Sequence, residues 1–551
     1  MMEVMFVGVA VAIYSYVEII PTRQPFDGSQ LPAASKWTRF PAASAWQAVP
    51  AEGGVVVATS TDLFFAHADK KANWWRVRLT DSANRTISSD EGMRLVKRAE
   101  SIVAIVTSRM LHRVTHCTLG GSGSTCTIHD TVAIGLGLVH AATATANAVW
   151  LASENGLFRC RDGARAATRL LDDNVVATAS SGKGLVAAGN SERLWLLDET
   201  SGAVVRWEWV SDVPSGQGGV IGDAIRALAW GAPLLQGDPG SSGNDGDSAP
   251  SLFVGTQSCI NVRDANGAFV RVDADDGLPV SNVTSIAAAS GPNGTHQLWV
   301  GTTYGVALWD KSEPQWRYLY GARWLVGSHV RSIAVVGEAA VVVSDGGVTW
   351  LMQVNYTLAR KAEVMEAILP RHDRHGLVAE CQMASFGDVD ESCFNTDNDN
   401  NGLWTSLVVC AEYMRYAVTR SPAALAAASR HLRGMALLHE ITGGVGFPAR
   451  SACAPSELTD NPPRCGGGIH DRTRWVNSTV PQARTRTPSL PTAPPAGCGS
   501  DIERSLQACC RHLPRCPHAG CVRCPPDGCV PAHPPTRPPA ARAVRRLDLE
   551  D

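Results

Sequence analysis

Seven short runs in the first two-thirds of the chain are apolar at almost every position. They begin at Val55 (VVVATSTDLFF), Val103 (VAIVTSRMLHRV), Val149 (VWLASENGLFRC) and Val186 (VAAGNSERLWLLD), and continue at Leu252 (LFVGTQSCINVRD), Leu298 (LWVGTTYGVALWD) and Val341 (VVVSDGGVTWLM). Each passes through a turn into a second apolar run. Val, Ile and aromatic residues dominate, the runs are too short for helices, and Gly, Ser and Asn bound them, so they predict buried strands. Successive starts lie 37–48 residues apart, except for one interval of 66. That interval contains GDPGSSGNDGDSAPS (237–251), which has the composition of a surface insertion.

A β-rich period of about 40–50 residues is the spacing of a β-propeller. One four-stranded blade cannot bury both faces, whereas blades packed radially bury them against each other. The pattern predicts an all-β propeller over residues 26–355, with seven blades, six and eight being the neighbouring counts.

After Trp350 the period lengthens to 3.6. Ala359–Leu369 (ARKAEVMEAIL) is rich in helix formers and ends at Pro370. Thr405–Val418 is apolar around most of a helical circumference. Ser421-Pro422 supplies an N-cap followed by proline at the first helical position. The helix it opens would bury Leu425, Ala428, Leu432, Met435 and Leu438, and Gly443-Gly444 would stop it. Two helices joined by so short a turn form an antiparallel hairpin. RHDRHGLVAE (371–380) precedes that hairpin, TDNDNNGLWTS (396–406) leads into it, and HEITGGVGFPARS (439–451) follows it. The antiparallel geometry places the entry of the first helix and the exit of the second at one end.

Two resemblances follow from these motifs. LWVGTTYGVALWD, preceded by DDGLPVSNVTSIA (275–287), resembles the repeat of the two-component-regulator propellers, a ligand-binding sensor type. The helical hairpin with its three flanking motifs resembles one hairpin of an α/α toroid, the six-hairpin glycosidase-like architecture. The second resemblance implies an active site rimmed by loops, in which carboxylates perform acid–base work and aromatics stack on sugars. Only about three of roughly a dozen toroid helices are recognisable, so the module reads as partial and catalytically incomplete.

The rim supplies the candidate chemistry. Asp397 and Asp399 are candidate general acid or base residues for glycoside hydrolysis or lyase chemistry. His439 and Glu440 could exchange protons there, and Arg450 could clamp an anion. Trp404 is a candidate stacking platform, with His375 a second substrate contact. Asp397, Asp399 and Asn401 also begin the D-x-D-x-N-G pattern of a calcium loop. An EF-hand would need Glu six residues after Gly402, but position 408 is Val, which leaves a looser Ca²⁺ site. The competing structural reading is helix capping by Asp and Asn. Similarly, His439 suits a helix C-terminus without any catalytic role. No nucleotide loop, nucleophile elbow or redox-cofactor motif occurs.

Composition narrows the remaining classes. Lys and Arg number 49 against 52 Asp and Glu, a net charge of -3, which argues against nucleic acid as partner. No apolar run reaches the roughly 18 residues of a membrane span. Residues 1–25 contain VMFVGVAVAIY (4–14), a signal segment or a strand with equal weight. Asn84, Asn282, Asn293, Asn355 and Asn477 begin N-x-S/T glycosylation triplets. Cys117 with Cys126, Cys381 with Cys393, and Cys453 with Cys465 are local disulfide candidates; buried free thiols are the alternative. Sequons and cysteines together point to a secreted or extracytoplasmic protein.

The tail differs from the rest. The 71 residues from Pro481 hold 14 of the 32 Pro and 7 of the 16 Cys. Cys516, His518, Cys521 and Cys524 imitate a zinc site, but the composition reads better as GC-rich DNA translated out of frame. The expected organisation is therefore a propeller, a partial all-α toroid-like module over 356–455, and a disordered tail over 456–551. Its expected role is in a carbohydrate-processing lineage. The alternative is a non-catalytic sensor that binds a carbohydrate or peptide ligand on the propeller face.

Overall fold

The computed structural model describes residues 15–26, 39–42, 45–51, 53–68, 73–81, 83, 86, 93–99, 101–211, 219–233, 250–263, 267–291, 294–383, 393–395, 400–442, 446, 448–453, 457 and 474–476. These residues fall in one unit, Met1–Val480, and none lies in the second, Pro481–Asp551. The zinc-like cysteines of the tail, the apolar segment 4–14 and most of the 237–251 run are outside the described residues.

Six consecutive four-stranded antiparallel meanders occupy residues 45–81, 94–133, 139–171, 177–211, 225–272 and 283–319. A seventh is assembled differently. Its three consecutive strands, Val330–Val336, Ala339–Ser344 and Gly347–Thr357, take their fourth from Ser15–Pro25. That strand runs antiparallel to Gly347–Thr357 over its whole length, with Ser15 opposite Thr357 and Pro25 opposite Gly347. The fourth strands of meanders one and two also touch, pairing in parallel from Arg78–Thr125 to Asp81–Ile128.

The seven apolar runs each form the second strand of a separate meander. Four of these strands, Gly54–Thr59, Ala148–Ser153, Ser251–Thr256 and Ala339–Ser344, are buried at every position. Burial on both faces explains why they read as continuous apolar runs rather than as alternation. Consecutive meanders share buried clusters. Phe65 and Leu63 of the first pack with Leu95 and Ile105 of the second, and Trp150 of the third with Trp195 of the fourth. Val55, Val57 and Phe64 of the first share a further cluster with Val341, Val343 and Trp350 of the seventh.

Each second strand ends in, or runs directly into, a small polar residue that closes the following turn: Thr59, Thr107, Ser153, Asn190, Thr256, Thr302 and Ser344. Its side chain bonds backbone groups within the turn, as from Thr302 Oγ1 to the Gly305 carbonyl at 2.9 Å and from Ser344 Oγ to the Gly347 carbonyl at 3.1 Å. The glycine before two of these residues has a packing reason. A Cβ on Gly255 would lie 2.5 Å from Val283, and one on Gly301 2.5 Å from Val330. In each case the neighbour is the first residue of the next meander, so the V-G-T triplet is set by how closely successive sheets approach.

The helices follow the seventh meander. α1 (Leu358–Ile368) continues directly from its third strand, capped by Thr357. α2 (Asn401–Thr419) and α3 (Pro422–Glu440, capped by Ser421) form the expected hairpin. The buried face of α3 differs from expectation. Ala428 and Leu438 are buried, but Leu432 is 44% exposed, and His431 and Gly434 are buried in its place. The cause is a chain crossing rather than a helix contact: a Cβ on Gly434 would meet Gly376 at 2.4 Å, and His431 Nδ1 lies 2.9 Å from the Gly376 carbonyl. No described helix is long and apolar enough to cross a membrane.

Candidate functional site

The residues singled out in the helical part separate. Asp397 and Asp399 lie outside the described residues. Asn401 is fully buried at the start of α2, where its Nδ2 donates to the Val378 carbonyl at 2.8 Å. Trp404 is half-buried one turn along. His439 and Glu440 are exposed in the last turn of α3, and Arg450 is exposed beyond it. The start of α2 and the end of α3 do adjoin, since a Cβ on Gly402 would meet Leu438 at 3.4 Å.

His375 belongs to a different grouping. It is exposed, with a left-handed φ of 54°, and its Nε2 lies 3.3 Å from Glu457. Glu457 accepts two 2.7 Å hydrogen bonds from Arg374, and both members of that pair are buried. Nothing in the local pattern marks this pair, whose partners are 83 positions apart. Of the glycosylation candidates, Asn355 is exposed and Asn282 half-buried, while Asn84, Asn293 and Asn477 fall outside the described residues. Cys117 and Cys126 form a disulfide and Cys381 is also disulfide-bonded, whereas Cys160 and Cys259 are buried free thiols.

A second concentration of chemistry, which the sequence did not reveal, lies on the meanders. Strand direction alternates, so first-strand starts, second-to-third turns and fourth-strand ends share one end of each sheet. In five meanders the second residue of the first strand is passed over in the register: Trp46, His140, Arg226, Thr284 and Arg331. Such bulges release a side chain from the regular alternation of faces.

Three of the side chains at this end lie close to one another although they come from three meanders, and a fourth, His140 of the next meander, feels the charge of one of them. The Arg331 guanidinium stands 5.5 Å from the centre of the Trp46 ring, and that of Arg94 stands 5.8 Å from it. Arg331 also donates to the Ala45 carbonyl at 3.0 Å. Arg94 makes neither a hydrogen bond nor an ion pair among the described residues, and burial holds its guanidinium below the usual arginine range. His140 is pushed down mainly by burial. Glu154 opposes that shift and the Arg94 charge adds to it. Among the described residues, two bulged side chains end in buried polar atoms without a hydrogen-bond partner, His140 Nε2 and Thr284 Oγ1. Arg226 is partnered: with the Gln257 amide turned to satisfy both neighbours, Gln257 accepts from Arg226 and donates to Asp223 at 2.8 Å.

Three tyrosines extend this end on the sixth meander, Tyr304 and Tyr320 exposed and Tyr318 half-buried. Tyr304 lies in its second-to-third turn, and Tyr318 and Tyr320 at the close of its fourth strand. The Tyr318 and Tyr320 rings stack with centres 4.8 Å apart. Tyr318 donates to the Tyr304 carbonyl, and burial beside the two other tyrosines pushes its hydroxyl up to about 12.

No family model matches the chain, and no curated protein matches it. Among solved structures, a chain of the mitotic checkpoint complex is similar over 60% of this chain and 98% of its own, at 12% identity and a TM-score of 0.37. The computationally designed Ika8 protein is similar over 61% and 100%, at 12% identity and a TM-score of 0.35. At those scores the likeness says nothing about function.

Proposed function

We propose that the seven meanders are the blades of a closed β-propeller of the two-component-regulator repeat type, and that the chain is a non-catalytic ligand-binding protein. Its recognition surface is the mouth of the axis at the first-strand starts. One observation carries this reading: Arg331, Trp46 and Arg94, from blades seven, one and two, are drawn together at that end, with His140 of blade three at the neighbouring first-strand start. First strands line the axis of a propeller, so side chains released by bulges at their starts surround its opening. Convergent polar groups beside an exposed aromatic, with orphaned polar atoms in the wall, are the equipment of a ligand site. The disulfides suit a secreted or extracytoplasmic setting.

Isothermal titration of the full chain against neutral oligosaccharides, acidic oligosaccharides and short peptides tests the reading. A ligand should bind wild type and the Trp207→Ala variant equally, and lose affinity with Trp46→Ala. Trp207 is a suitable control because it is exposed on the fourth strand of blade four, away from the axis. Equal binding by all three proteins would overturn the assignment.

A second reading keeps the helices in a carbohydrate-processing lineage, as the opening of an α/α toroid. It is favoured by the α2–α3 hairpin closing on segment 374–378, with Asp397, Asp399, His439, Glu440 and Arg450 as the reactive set. Sugar release from polysaccharides by the full chain, abolished by Asp399→Asn, would establish it. Calcium belongs to the same reading, with Asp397, Asp399 and Asn401 as its ligands.

A further inference from the structure

We propose that the ligand at this mouth carries an oxyanion, a carboxylate, sulfate or phosphate group, with Arg94 and Arg331 as its charge partners and His140 beside them. This rests on the ligand-binding reading above and narrows it to a chemical class. Arg331 is fixed by the Ala45 carbonyl and Arg226 by Gln257, while at the far end of Arg94's own strand Arg98 is held by the Thr145 carbonyl and Asp162. Arg94 is the exception: it is half-buried, and among the described residues the Trp46 ring is its one contact of these kinds.

A cation–π contact attracts a guanidinium but brings no negative charge to it. A partly desolvated cation without a counter-charge is costly, and the cost disappears when an anion arrives. Arginine has the fork geometry to hold two oxygens of one carboxylate, sulfate or phosphate, with shorter and stronger bonds than a neutral acceptor allows. The His140 imidazole adds an uncommitted ring nitrogen, Nε2, buried in the same wall. Among the described residues no carboxylate pairs with Arg94, and burial alone lowers its guanidinium. A neutral sugar would leave that charge uncompensated, which is why an oxyanion is favoured.

The test uses the full chain with sodium sulfate, inorganic phosphate, citrate and a galacturonate trisaccharide, and with a neutral maltotriose control. Wild type is expected to bind at least one oxyanion probe, with affinity falling as salt rises. Arg94→Gln should weaken that binding about tenfold or more, and Arg94→Lys by less, because charge returns without the fork. Arg360→Gln, on the exposed face of α1, should bind as wild type does. The bound probe should raise the melting temperature of wild type and leave Arg94→Gln unmoved. Without ligand, Arg94→Gln should be at least as stable as wild type, which separates lost binding from lost folding. Which probe binds identifies the group as carboxylate, sulfate or phosphate. Binding of maltotriose that depends on Trp46 but not on Arg94 overturns the oxyanion and leaves the ligand-binding reading standing. Failure of every oxyanion probe overturns the inference. Binding that Arg94→Gln leaves unchanged does so as well.

Discussion

The hydroxyl of Ser332 accepts a hydrogen bond from the backbone N–H of Ala48 at 3.2 Å, across 284 positions of sequence. The same bond recurs one sheet earlier, where Ser285 Oγ accepts from the Ile333 N–H at 3.2 Å. One sheet later Gln47 accepts from the Leu95 N–H at 2.8 Å and donates to its carbonyl at 3.2 Å. Ser285, Ser332 and Gln47 each follow a bulged residue, so the bulge that frees one side chain also aims the next at the neighbouring sheet. The junction of the last meander with the first is thus built like the junctions inside the series.

Ser332→Ala should strand the Ala48 N–H and destabilise the protein by about 1–3 kcal/mol, the cost of an unsatisfied buried donor. Urea unfolding checks this: the midpoint should fall while the slope stays constant. An unchanged midpoint would mean that the junction does not depend on this bond.

The strand Ser15–Pro25 completes the seventh sheet, and Ile19 is its buried anchor beside Trp299 and Leu351. Ile19→Ala should cost about 2–5 kcal/mol, as for other large-to-small core changes. A chain beginning at Gln24 would leave the edge of Gly347–Thr357 unpaired, and it should self-associate on size exclusion. A monomeric, cooperatively unfolding truncation would contradict the role given to this strand.

The strands were legible because burial on both faces writes itself as unbroken apolar runs, as in VVVAT at Val55 and LFVGT at Leu252. The α2–α3 hairpin was legible from Ser421-Pro422. What could not be read were relationships made at long range. His431 and Gly434 look like interruptions of an apolar helix face until Gly376 is placed against them. Arg374 and Glu457 find each other across 83 positions. Trp46, Arg94 and Arg331 converge only because bulges turn Trp46 and Arg331 out of register and because sheets seven, one and two meet at their first-strand starts. Neither cause leaves a local signature.

The Cys117–Cys126 bridge links directly opposite residues of one hairpin, closing a loop with a sequence separation of 9. A loop of that size is worth about 2–3 kcal/mol on the chain-entropy model. The double variant Cys117→Ser/Cys126→Ser should lose that much in denaturant unfolding, and a reducing agent should lower the wild-type midpoint. An unaltered midpoint for the double variant would remove the bridge from the stability account.

His112 is buried on the second meander, with its Nδ1 3.0 Å from Thr131 Oγ1, and burial lowers its pKa from the ordinary 6.5. The unfolded chain therefore takes up a proton first as pH falls. Stability from the neutral imidazole is complete above about pH 6.5 and declines as pH drops toward the lower folded value. The unfolding free energy of wild type should fall from pH 7.5 to pH 5, with a shallower slope in His112→Asn. His140 shifts in the same direction, so some slope should persist in that variant. Identical slopes for the two proteins would refute the contribution of His112.

The most direct test of the ligand-binding mouth is ¹⁹F NMR of the full chain labelled with 5-fluorotryptophan. The Trp46 resonance can be assigned by its loss in Trp46→Phe, and those of Trp207 and Trp209 in the same way. On titration with the oxyanion that binds in calorimetry, the Trp46 line should shift saturably with the same midpoint, while the Trp207 and Trp209 lines stay in place. Saturable shifts at Trp207 and Trp209 with Trp46 unmoved would place recognition on the outer strand of the fourth meander and contradict the account.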